Sequence, residues 1–423
     1  MALQTTGAIS LADIQGEFGG SNPIGLNEYY SVAAGIPTSG TISIGNFYGA
    51  SNYIAPTAIP IGNIYPAGGD GYGETGGYLN HMAVNPSWVA IGQPQATVAG
   101  QASAGQIDIF NSSGVFQRTI YGDGLNPSYD AFGKHLSMAE TGDLLFVARP
   151  DSKGVGEYNM STGALVRGYT GHSFTYVTVS ASPSYVLAAS YFYATNTGRA
   201  QVFSRATGAR IYDIVNPLVD GGDGIQDRFG SFVCAADNYM AIHSDANINN
   251  LANSGTVSLF NSSDGTVARH FHNPTPAAYG YFGRGIAMNG TRIAISHYTA
   301  AVNGLTAAGK VYIYDMTNGA LLLTLQSETP LAYHNFGISI GMNSTHIFCG
   351  YTRWSDGLSG VEVFDYAGVK RNEFANPNVN TTDAIDEFAA SLDVNGNLLI
   401  VGAPREDGGG VLNSGYVYLY VGV

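Results

Sequence analysis

From residue 78 to the C-terminus, apolar residues alternate with small or polar ones in short runs, a period of two that predicts β-strands with at least one buried face. The runs come in a fixed order. An aromatic residue, usually within Phe-Gly, opens a strand, a short polar turn leads to a second strand, a loop ending in small-x-Gly leads to a third, and a tight turn leads to a fourth. This unit begins at Tyr78, Phe132, Phe174, Phe229, Phe282, Phe336 and Phe388, at spacings of about 54, 42, 55, 53, 54 and 52 residues.

The unit from Phe282 shows the pattern fully. FGRGIAM is strand A, NGT a turn, RIAISH strand B, YTAAVNGLTAAG a loop, KVYIYD strand C, MTNG a turn and ALLLTLQ strand D. The C–D turn recurs as NSSG (111–114), MSTG (160–163), RATG (205–208) and SSDG (262–265), with glycine where positive φ is wanted. Four antiparallel strands repeated seven times predict an all-β fold, a seven-bladed β-propeller over residues 53–423. A linear β-solenoid, whose repeats are usually shorter, is the competing architecture. The seventh unit stops after strand C, YVYLYVGV, while GNIYPAGGDGYG (62–73) resembles the strand-D region ARIYDIVNPLVDGGDG (209–224). A strand around Ile59 to Tyr65 is therefore expected to complete the last blade and close the ring.

Residues 1–52 follow another pattern. ISLADIQGEF (9–18), IGLNEYY (24–30) and ISIGNFYG (42–49) share an Ile-small-Leu/Ile-x-polar-aromatic kernel. Ser10 is expected to cap a short helix ending at Phe18. Helices this short are unstable alone, so the kernel residues Ile9, Leu11, Phe18, Leu26, Tyr29, Tyr30, Phe47 and Tyr48 are expected to pack on one another or on a partner. The segment reads as an attachment module.

Composition narrows the function. With 45% hydrophobic and 11% charged residues the chain has a core to bury, and disorder for want of apolar residues is excluded. Lys and Arg number 17 against 31 Asp and Glu, for a net charge of −14, and the first cation is Arg118. Phosphate neutralisation, and with it nucleic-acid binding, is unexpected. So is a cleavable secretory signal, which needs an early positive charge. No apolar run reaches membrane-spanning length.

In the propeller topology the A–B and C–D turns share one face, and the longer B–C and D–A connections share the other. Loops on a rigid scaffold carry binding chemistry. The candidate binding residues on the long-loop face are Asp223, Asn249, Asn303, Glu406 and Asp407, and the short second unit predicts a notch in that rim. Asp223 and Glu406 are also the carboxylates that a glycosidase reading would use. Asp130, Asp227 and Asp386, with His172 and His334, each stand two residues before a unit's aromatic, which points to a turn role. His270 and His272 share a strand face without further metal-ligand spacing. Cys234 and Cys349 fall in non-neighbouring blades and read as small core residues. No metal or cofactor is expected.

Phe-Gly at the unit starts and Val-Gly-Ala-Pro at 401–404 resemble the FG-GAP-type repeat of integrin-α-like propellers. The second motif varies as AIGQP (90–94), FVARP (146–150), AIHSD (241–245) and AISHY (294–298). The Asp-x-Asp-x-Asp-Gly calcium loop of such blades does not occur, so the metal does not carry over. ALQTTGAISLADIQGEFGGSNPIGLNEYY is similar to the N-terminal modules of tail-associated structural proteins of bacteriophages, particularly those infecting cyanobacteria. That resemblance implies a virion tail fibre, spike or tail-associated protein, made in the host cytoplasm without a signal peptide and oligomeric within the particle. Other virion proteins would hold residues 1–52, and a host-surface glycan or receptor would meet the loops. The rival expectations are a propeller glycan hydrolase acting as a depolymerase, and a purely architectural decoration protein.

Overall fold

The structure, a computed structural model, describes residues 10–18, 43, 58–62, 82–94, 96–122, 131–140, 142–149, 154–170, 178–191, 197–218, 227–248, 251–378, 386–406 and 415–423. The chain divides into two compact units, Met1–Thr57 and Ala58–Val423.

In the first unit a helix runs over Leu11–Phe18. Ser10 caps it as the sequence predicts. Its hydroxyl accepts the Asp13 N–H at 3.2 Å, and its own N–H donates to Asp13 Oδ2 at 2.7 Å, so two otherwise orphaned donors are satisfied reciprocally. Ile14 is fully buried.

The second unit is a seven-bladed propeller. Its described residues form seven four-stranded sheets, each with strands in consecutive order except the last, where Ile59–Gly62 joins beyond Tyr416–Val421. Ile59 lies opposite Leu419 and Gly62 opposite Val417, so this strand closes the seventh blade, antiparallel to its strand C. Ile64 and Tyr65 lie outside the described residues. The innermost strands touch in sequence around the ring, and strand A of blade 7, Ser391–Asn395, packs on strand A of blade 1, Met82–Val84.

Burial follows strand position. Strand B is apolar almost throughout because both of its faces are covered, as in Leu398–Ala403, whereas strand D lies on the outside and buries chiefly one residue near its end, such as Ile120 or Phe271. The core is divided among the seams between blades. Phe132, Phe229, Phe282, Phe336 and Phe388 are each fully buried between the blade that precedes them and the one they open. Each such ring contributes about 1.5–3 kcal/mol by leaving water. At the closing seam Met82, Val84, Ile91 and Phe110 pack on Leu398, Ile400, Val417 and Leu419, with Ile59 against them.

These aromatics are not in strand A, contrary to the reading of FGRGIAM as one strand. In blade 5 the strand is Ile286–Asn289. Gly283 has φ 98 and the Phe282 N–H donates to the Ser254 carbonyl of the previous blade's loop at 3.2 Å, so Phe-Gly turns the chain inward before the ladder begins. The small-x-Gly signature has its explanation at the same place. Gly105, Gly198, Gly255 and Gly309 have φ of 80, 80, 81 and 91, and a Cβ on any of them would meet the carbonyl oxygen of the next unit's Phe at 2.0–2.3 Å.

A second set of contacts joins the inner strands. One side chain of strand A accepts a backbone N–H from the next blade: Ser137 from Ala181 and Ser180 from Ala235, both at 3.0 Å, and Asp393 from Val84 at 2.9 Å across the closing seam. Cys234 holds the corresponding place toward Met288, and burial pushes its thiol up to about 12. Cys349 is buried and, like Cys234, free of any disulfide.

Candidate functional site

The tight A–B and C–D turns share one face, and the B–C and D–A connections the other. On the latter, the D–A loops of blades 4 and 5 read NPTPAAYGYFG (273–283) and SETPLAYHNFG (327–337), with T-P-x-A-Y-x-x-F-G in common. The shared tyrosines are held alike. Tyr279 and Tyr333 take φ of 59 and 58, unusual for a bulky side chain. Their N–H groups donate to Ala252 and Thr306, in the B–C loops of their own blades, at 2.6 and 2.7 Å. The backbone is thus fixed while the side chains stay 59% and 60% exposed.

Each loop is stitched onward to the next blade. The Thr299 hydroxyl donates to Gly280 O at 2.6 Å, and Asn335 Nδ2 donates to both Tyr333 O at 3.1 Å and Thr352 O at 3.0 Å. The second bridge brings the Tyr333 backbone beside blade 6. There strands B and C extend as His346–Arg353 and Leu358–Asp365, so a tight hairpin pinned by an Arg353–Asp356 ion pair replaces the usual loop. Its tip exposes 46% of Trp354. Tyr279, Tyr333 and Trp354 were not among the residues predicted from sequence. The signal that finds the tyrosines is the T-P-x-A-Y repeat in consecutive units.

Among the predicted residues, Asn303 is exposed on this face, in a left-handed turn of φ 51. Glu406 is fully buried and accepts hydrogen bonds from Asn378 Nδ2 at 2.7 Å and from the Tyr418 hydroxyl. It braces the loop from within and offers no surface carboxylate, because its place in the B–C connection corresponds to buried Ala246 of blade 4, whose carbonyl likewise accepts the loop glycine's N–H. Asp223, Asn249 and Asp407 lie outside the described residues, as does most of the second unit's rim. In the first unit Leu11 is exposed at the helix start and Phe18 ends the helix, while Ile9, Leu26, Tyr29, Tyr30, Phe47 and Tyr48 lie outside the described residues.

The repeated acidic position has a loop-closing role. Asp227 and Asp386 are buried, and each accepts an amide proton from the asparagine that begins its D–A loop, Asn216 at 3.0 Å and Asn376 at 2.7 Å. His270 and His272 stack at 6.0 Å, with Nδ1 atoms against Ser258 and Thr256. Among the described residues no group of three His, Cys, Asp or Glu side chains has metal-binding geometry.

One polar cluster lies between blades 4 and 5. His243 Nδ1 is 2.7 Å from the Ser231 hydroxyl and Nε2 is 3.4 Å from Asp245, which Arg284 grips at 2.9 and 3.4 Å while stacking 3.9 Å over Tyr281. Full burial pushes His243 down to about 4, so the ring is neutral at pH 7. Serine, histidine and carboxylate in this order carry acyl transfer where free N–H groups can hold an oxyanion. Here the Gly230 and Ser231 N–H groups donate to His243 O and Arg228 O, and the cluster ties the two blades together.

Residues 382–420, the seventh blade, match the FG-GAP repeat family. The matched blade reads Phe388-Ala389 where others read Phe-Gly, and Ala389 keeps a positive φ of 65. No curated protein matches the chain. Similar solved structures include one described as the crystal structure of the mitotic checkpoint complex, at 14% identity and TM-score 0.53 over 87% of this chain and 92% of that one. Another is described as the structure of U3-55K, at 11% identity and TM-score 0.55 over 80% and 94%. At these identities the likeness shows the fold alone.

Proposed function

We propose that this chain is a non-catalytic structural protein of a bacteriophage virion, a tail fibre, spike or tail-associated component. Residues 1–52 attach it to other virion proteins and the propeller makes the outward contacts. The observation that carries the recognition role is a set of exposed aromatic side chains on the long-loop face of a closed ring: Tyr279 and Tyr333, whose backbones are fixed by hydrogen bonds, and Trp354 at a hairpin tip. Aromatic anchors held in place lose little entropy on binding and supply much of the energy of an interface. Burial of Glu406, one of the two carboxylates that a hydrolase would use, favours this reading over the hydrolase. The attachment role rests on the resemblance of residues 1–52 to phage tail modules.

The test is assembly. Purified particles should contain the chain by mass spectrometry, and deletion of residues 1–52 should abolish incorporation while the melting temperature of the propeller is retained. Incorporation of the truncated chain would overturn the attachment role. Cleavage of purified host polysaccharide, lost on changing Asp223 or Glu406, would favour the depolymerase instead.

A further inference from the structure

The loops that carry the exposed aromatics have a distinctive composition. Residues 273–281 and 299–309 contain no charged residue, 327–335 contain one, Glu328, and at the hairpin tip Asp356 is taken up by Arg353. In a chain with 31 acidic residues, these loops are close to neutral. A charged ligand finds little complementary charge in these loops.

What the rim offers is flat aromatic surface interleaved with short amides and hydroxyls. Asn303 is exposed between the two tyrosine loops, and Thr306 is exposed in the loop whose carbonyl holds Tyr333. The tyrosines occupy equivalent places in adjacent units, so they repeat with the blade spacing. Both sit in left-handed backbone, a conformation an L side chain adopts at an energetic cost. A pyranose ring matches this surface on both counts. Its axial C–H face is apolar and stacks on an aromatic ring, while its equatorial hydroxyls at the edge seek amide and hydroxyl partners.

We infer that the rim of blades 4 to 6 is a binding site for a neutral glycan, with Tyr279, Tyr333 and Trp354 as stacking platforms and Asn303 as a hydroxyl-binding group. This names the ligand class of the recognition face proposed above, and it rests on that reading.

Tryptophan emission provides the readout, because the chain has two tryptophans and the other, Trp88, is partly buried and bonded to Asp143 at 2.7 Å. The full chain is titrated with maltohexaose, cellohexaose and a mannohexaose, and with polygalacturonate as the anionic control. The expected result is a saturable change with at least one neutral hexasaccharide, weakened about tenfold or more by Tyr333→Ala or Tyr279→Ala. The change should vanish in Trp354→Phe while calorimetry still detects binding. Tyr333→Gly, which suits the left-handed backbone, serves as the folded control and should lose binding equally. No saturable change with any neutral sugar, tighter binding of polygalacturonate, or undiminished binding by the double alanine variant would overturn the inference. Loss of host-cell attachment by those variants without any sugar binding would overturn the glycan and leave the recognition role standing.

Discussion

Gly309 and Phe336 meet backbone to backbone, with no room between them: a Cβ on the glycine would stand 2.2 Å from the phenylalanine carbonyl oxygen. The contact joins the loop of one blade to the aromatic that opens the next, and Gly105, Gly198 and Gly255 repeat it. Gly309→Ala must push Phe336 out of its seam as well as strain the left-handed backbone, and should cost at least about 3 kcal/mol. Gly304, in the same loop at φ 82 with nothing within 4 Å, is the control, and its alanine variant should cost about 1 kcal/mol. Denaturant unfolding of the two variants checks the difference.

The ring is closed by Ile59–Gly62 on the strand that ends the chain. A chain beginning at residue 58 should melt like the full propeller. One beginning at residue 63 should melt well below it, since it exposes the edge of Tyr416–Val421 and uncovers the apolar seam of blades 7 and 1. Equal melting temperatures would contradict closure by this strand.

Asp393 makes the same seam pH-sensitive. Burial raises its carboxyl from 3.8 to about 7, so the folded chain keeps a proton that the unfolded chain releases. This group's contribution is complete below about pH 4 and is lost as pH rises through 7. His243, His297 and His334, lowered to about 4 mainly by burial, act oppositely: their contributions are complete above 6.5 and are lost as pH falls toward 4. Asp393→Asn keeps an acceptor for the Val84 N–H and removes the opposing proton. Its stability should therefore rise more steeply between pH 4 and 6.5 than that of the parent, which unfolding at several pH values measures.

Tyr279 and Tyr333 trade stability for display. Replacing either by glycine relieves a left-handed L residue and should raise stability by up to about 1 kcal/mol, while alanine, which keeps the strain, should give no gain. Thermal unfolding of the four variants distinguishes the outcomes.

Period and turn chemistry made the blade legible in the sequence. RIAISH and KVYIYD are the strands Arg292–His297 and Lys310–Asp315 residue for residue, because strands B and C are buried on both sides and their apolar runs are unbroken. Strand A was misplaced by four residues, since an aromatic followed by glycine looks like a strand start until its N–H is seen bound to the preceding loop. The C–D turn glycines were read from φ alone. At Gly208 a second constraint, the Arg167 side chain 2.7 Å from where a Cβ would stand, comes from the neighbouring blade and has no local signature. Glu406 looked like a surface carboxylate because charge in a long loop normally faces water. Tyr418, twelve residues later on strand C, draws it inside.

Cryo-electron microscopy of the intact particle tests the central claim most directly. Residues 1–52 are expected among other virion proteins, with Tyr279, Tyr333 and Trp354 on a rim open to solvent. A propeller whose blades 4 to 6 are sealed against another virion protein, or a particle without this chain, would contradict it.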